Sequence, residues 1–68
     1  MGEAWMLDIP KHVVLRAQTT DGRGDMLWTC FRFETLFGRE ISIYVPGAQP
    51  TGTEIDQISA FLHIWAEE

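Results

Sequence analysis

The side chains from which catalysis or metal binding could be built are few in this 68-residue chain: one cysteine, Cys30, and two histidines, His12 and His63. A thiol activated by an imidazole needs the two groups within hydrogen-bond reach and a third group to orient the base. In the strand register derived below, His12 is only diagonal to Cys30, about 7–8 Å away by backbone, with no orienting partner. Cys30 therefore reads as a half-buried small hydrophobe, and no catalytic role is expected. His63, with Ser59 and Glu67 one turn away on either side, reads as a solvent-facing helical histidine. A single cysteine excludes an intrachain disulfide, and one cysteine with two histidines falls short of the four ligands of a structural zinc set. Asp21 and Asp25 lack the further ligands of a calcium loop. Gly22-x-Gly24 lacks the third glycine and following helix of a phosphate cradle. Arg23-Gly24-Asp25 is an RGD tripeptide, but glycine and aspartate are what a hairpin tip requires conformationally. No cofactor or metal is expected.

The informative chemistry lies on a surface. Residues 26–34 read MLWTCFRFE. In a strand, Leu27, Thr29, Phe31 and Phe33 point to one side, and Met26, Trp28, Cys30, Arg32 and Glu34 to the other. The second set is unusual for a solvated sheet face. Tryptophan, tyrosine, arginine and methionine are enriched in protein interfaces. The expected protein-binding residues are Val14, Arg16, Met26, Trp28, Cys30, Arg32 and Tyr44, with Arg16 opposite Trp28 in a cation–π contact. Two covers are expected for this face. Either an N-terminal arm lays Trp5, Leu7 and Ile9 over Val14, Trp28 and Tyr44, or another protein or a second copy of the chain occupies it.

Two further patterns of alternation flank this strand. Residues 12–19 alternate Val13, Leu15 and Ala17 against His12, Val14, Arg16 and Gln18; residues 40–45 alternate Ile41, Ile43 and Val45 against Glu40, Ser42 and Tyr44. A three-residue loop, Leu36-Phe37-Gly38, pairs Phe33 with Ile41 and Phe31 with Ile43, whereas a two-residue turn would mismatch the faces. By the same parity, the DGRGD turn needs an odd loop that aligns Val13 with Phe31, Leu15 with Thr29 and Ala17 with Leu27. Pro46, Gly47, Pro50 and Gly52 end the third strand. Thr51 with Glu54, or Thr53 with Asp56, then caps a helix. Its apolar stripe, Ile55, Ile58, Leu62 and Trp65 with Phe61 alongside, covers the inner sheet face. Glu67 and Glu68 oppose the helix dipole, so the last turn is expected to fray.

The expected fold is α+β: a three-stranded antiparallel β-meander with one C-terminal helix on one face, in a single domain spanning 1–68. Residues 1–11 form an extended arm or a short fourth strand, with a short helix as the alternative. So short a chain buries only about 60% of its unfolded surface, and association is the remaining source of extra stability. Five basic and ten acidic residues give a net charge of −5, which works against nucleic-acid binding and favours a basic partner. Aromatics and arginines on an open sheet could stack on single-stranded nucleic acid, but the charge argues against it. Hydrophobic residues make up 46% of the chain, too many for disorder. The absence of a basic leader or long apolar run points to a cytoplasmic setting away from membranes. The expected function is that of a non-catalytic binding module, inhibitor or accessory factor, of the kind a viral or plasmid chain encodes, acting through the aromatic and arginine face with self-association. The competing expectation is an acidic mimic whose carboxylates (Glu3, Asp8, Asp21, Asp25, Glu54, Asp56, Glu67, Glu68) imitate phosphates and block a nucleic-acid-binding protein.

Overall fold

A computed structural model describes residues 7–67. Strands β1 (Val13–Arg23), β2 (Met26–Thr35) and β3 (Glu40–Pro46) form one antiparallel sheet in the order β1-β2-β3, followed by helix α1 (Gly52–Ala66). This is the expected α+β meander.

The β2–β3 hairpin closes through Leu36-Phe37-Gly38. Phe33 pairs with Ile41 and Phe31 with Ile43, the register that parity selects. Gly38 takes the left-handed conformation (φ 93°) that ends such a loop. Thr35 holds the turn from beneath: its Oγ1 accepts from the N–H groups of Phe37 (3.2 Å) and Arg39 (3.1 Å).

The first hairpin differs from expectation. It turns through two residues, Gly24-Asp25, since Arg23 pairs with Met26. An even turn alone would place Val13 and Leu15 on the wrong side of the sheet. One extra residue, Arg16, is inserted as a bulge between Leu15 and Ala17, and this restores the match: Val13 pairs with Thr35 and Leu15 with Phe33. The expected pairing of Val13 with Phe31, Leu15 with Thr29 and Ala17 with Leu27 is thereby corrected. Beyond the bulge, Gln18, Thr20 and Gly22 share the inner face, while Ala17, Thr19 and Asp21 share the outer one. Inner-face polarity is tolerated there because Gln18 and Thr20 remain exposed. Thr20 Oγ1 lies 3.4 Å from Thr29 Oγ1, whose hydroxyl donates to the Gly47 carbonyl at 2.7 Å.

Thr51 caps α1 with a reciprocal capping box. Its Oγ1 accepts from the Glu54 N–H (3.2 Å) and its own N–H donates to Glu54 Oε1 (2.8 Å). Ile58, Leu62 and Trp65 turn inward and bury against Val13, Phe31, Phe33 and Val45. Ile55 is half-buried and Phe61 stays 41% exposed. Burying a side chain of this kind contributes about 1.5–3 kcal/mol, so the seven buried residues carry most of the sheet–helix attachment.

The far end of the helix is anchored, contrary to the expected fraying. Arg39 donates from a guanidinium nitrogen to the Trp65 carbonyl (3.2 Å) and stacks over the Trp65 ring, 5.0 Å from its centroid. His12 Nε2 lies 3.3 Å from the Ala66 carbonyl oxygen. These groups meet two of the carbonyls that a helix end leaves without intrahelical partners. His12 is thus beside the helix, not on the outer face diagonal to Cys30.

The N-terminal segment also differs from expectation. Leu7 and Ile9 pack against the core, on the helix side. The Asp8 N–H donates to Ser59 Oγ (3.0 Å), and Asp8 Oδ2 lies 3.3 Å from His63 Nε2. Helix residues Ser59 and His63 hold this segment, so Leu7 and Ile9 do not cover the outer face; Trp5 lies outside the described residues. Residues 7–10 do not join the sheet as a fourth strand.

The bulge makes a sharp prediction. Arg16→Ala removes an exposed side chain and should cost under about 1 kcal/mol in urea denaturation. Deleting Arg16 turns Val13 and Leu15 away from the core and should cost several times more, at about 1.5–3 kcal/mol for each side chain so exposed. Equal effects of the two variants would contradict the bulge.

Candidate functional site

β2 supplies the centre of the outer face, and the β2–β3 register lays out two of its three columns as expected. Arg32 pairs with Ser42, Cys30 with Tyr44, and Trp28 with Pro46. The β1 column is displaced by the bulge and the even turn: Ala17 pairs with Arg32, Thr19 with Cys30, and Asp21 with Trp28. Val14 therefore lies opposite Glu34 instead of Cys30. Arg16, expected over Trp28, instead donates from Nε to Glu34 Oε1 at 2.9 Å. Trp28 and Glu34 are six positions apart along β2, about 20 Å at the rise of a strand. The expected Arg16–Trp28 contact is overturned, and the cation–π pair among the described residues is Arg39 with Trp65.

The expected residues thus divide. Met26, Trp28, Cys30 and Tyr44 cluster at the hairpin end of the face; Val14 and Arg16 sit at the opposite end, with Arg32 between. Around the cluster, Thr19, Asp21, Trp28, Cys30 and Tyr44 line a shallow depression of about 490 Å³. Cys30 forms its half-buried floor, flanked by Trp28 (47% exposed) and Tyr44 (66% exposed), with Met26 (66% exposed) beyond. The depression combines two aromatic walls, a thiol floor and the single carboxylate of Asp21 at its rim. Such a surface can bury an apolar or aromatic side chain and accept a hydrogen bond or pair with a cation through Asp21. Among the described residues, no group of three or more His, Cys, Asp or Glu side chains is arranged to hold a metal ion, and none of the helices is long and apolar enough to cross a membrane.

Sequence reasoning missed Thr19 and Asp21 because an unforeseen bulge decides which side of β1 they occupy. It also passed over Leu36 and Phe37, 69% and 85% exposed at the second hairpin tip. Their signal was visible: two large apolar residues occupy a turn whose usual occupants are polar.

The chain matches no family model, no curated protein and no solved structure.

The flanking of Cys30 can be checked by thiol chemistry. Tyr44→Ala should speed its modification by a bulky thiol reagent several-fold without loss of the folded far-ultraviolet spectrum. An unchanged rate would show that Tyr44 does not shield this thiol.

Proposed function

We propose that the chain is a non-catalytic protein-binding module whose contact surface is the outer sheet face centred on Trp28, Cys30 and Tyr44. The observation that carries this reading is the cluster itself. Large side chains of interface type surround a depression that no described segment of the chain lies over, since residues 7–10 pack on the helix side instead. Tryptophan and tyrosine are favoured energetic anchors because they desolvate a large rigid area at low entropic cost. Arg32, exposed two positions along β2 from Cys30, extends the surface with donors for a partner's carbonyls or carboxylates. A role as inhibitor or accessory factor, with self-association, fits a small acidic module that works by occupying another surface.

The test is binding of a partner recovered with the wild-type chain. Trp28→Arg should weaken it by about 30-fold or more, the loss of an anchor worth 2 kcal/mol or above. The double reversal Glu67→Lys with Glu68→Lys should leave it nearly intact. Loss with the charge reversals alone would overturn the sheet-face reading in favour of acidic mimicry.

A further inference from the structure

We infer that two copies of this chain join edge to edge through β3, forming one six-stranded antiparallel sheet. The inference rests on the self-association in the proposed function and assigns it to the β3 edge, which adjoins the Trp28 depression at Tyr44.

β3 has one neighbour, β2, among the described residues. The Gly47 N–H bonds the Leu27 carbonyl (2.7 Å) and the Thr35 N–H bonds the Arg39 carbonyl (2.8 Å), so the odd-numbered residues of β3 direct their backbone groups to β2. The alternation of an antiparallel ladder then turns the N–H and C=O groups of Glu40, Ser42 and Tyr44 to the free edge. Pro46 falls at the next such position, where its missing N–H removes no bond to β2.

Exposed edges are commonly blunted by bulges, prolines, lysines or inward-pointing charges, and the one such proline of β3, Pro46, stands at its last position, outside the stretch from Ile41 to Val45. β1 carries the Arg16 bulge, whereas β3 pairs with β2 without a register shift and contains no lysine. Beside it runs a groove of about 470 Å³ between the edge and α1, with Ile41, Ile43, Val45, Ile58 and Phe61 along its apolar walls. A regular edge above an apolar groove is a template for another strand.

The strand's own sequence fits that template under two-fold symmetry. With Ile43 on the axis, Ile41 meets Val45 of the second copy and Ser42 meets Tyr44, so every inner-face residue of the core pairs is apolar. With Ser42 on the axis instead, Val45 would face Arg39 and the apolar match fails. The antiparallel arrangement also sets the Arg39 end of each copy beside the Glu54 end of the other. Glu54 lines the groove near Pro46, whereas Arg39 anchors the opposite end of α1. This places opposite charges together at both ends of the joint, despite the overall charge of −5. Each helix N-terminus likewise lies toward its partner's C-terminus, the favourable sense for helix dipoles.

Sedimentation and cysteine cross-linking test the joint. The wild-type chain and Trp28→Arg should both sediment as dimers, while Ser42→Pro should halve the mass to 7.8 kDa and retain its far-ultraviolet spectrum. In a Cys30→Ser background, Ile43→Cys should oxidise to a covalent dimer and Ser42→Cys should not, because Ser42 lies off the axis and beyond the reach of a disulfide. This arm decides the matter if Ser42→Pro does not fold. A monomeric wild type, a folded Ser42→Pro that stays dimeric, or cross-linking through Ser42→Cys in place of Ile43→Cys would overturn the inference. Dissociation by Trp28→Arg alone would assign self-association to the outer face instead. A dimer unaffected by Trp28→Arg leaves the edge standing even where that variant fails to weaken binding of another protein.

Discussion

The structure depends on a parity constraint. Side chains of a strand alternate with a period of two, so a hairpin closed by an even turn carries one strand's apolar set to the wrong face unless a residue is inserted. The chain inserts Arg16. Val13 and Leu15 then fall beside Thr35 and Phe33 under the helix, while the polar run from Gln18 to Arg23 extends past the helix, where either face meets water. The same residue gives the outer face its asymmetry. The Arg16–Glu34 pair occupies one end, and the aromatic depression with Asp21 occupies the other.

The inner and outer faces solve different problems. The inner face is closed by α1, which is held by Thr51 and Glu54 at its start and by Arg39 and His12 at its end. Leu7 and Ile9 supplement that closure instead of crossing to the other side. Phe31, Phe33 and Leu62 are fully buried, yet Trp28, Tyr44 and Phe61 stay substantially exposed. In so small a domain, apolar side chains left outside the core are available for contacts with another chain.

Legibility in the sequence followed the strength of local signals. The β2–β3 hairpin could be read to the residue because strong alternation on both sides and one well-placed glycine leave a single register. The helix start was legible to within two residues, because the capping spacing fits both Thr51–Glu54 and Thr53–Asp56, of which the chain uses the first. The bulge was not, because Arg16 and Ala17 are both tolerated on a partly exposed face, and TTDGRGD has no apolar pattern to reveal a change of side. This error moved Arg16 from Trp28 to Glu34 and replaced it with Asp21. His12 and the Leu7–Ile9 segment were misplaced because their partners, Ala66, Ser59 and the core, are distant in sequence and leave no periodic trace.

The anchoring of residues 8 and 12 to residues 59 and 66 bears on how the chain folds. The two hairpins need only neighbouring residues to meet, but the Asp8–Ser59 and His12–Ala66 contacts span 51 and 54 positions. Loop closure over such a span costs entropy before any contact compensates for it. The hairpins can therefore assemble first as a sheet with a bare apolar face, and docking of α1 closes the long loop afterwards. In that interval Phe31 and Phe33 lack their helix cover. Exposed apolar surface of this kind is prone to aggregation until α1 (Gly52–Ala66) docks on it.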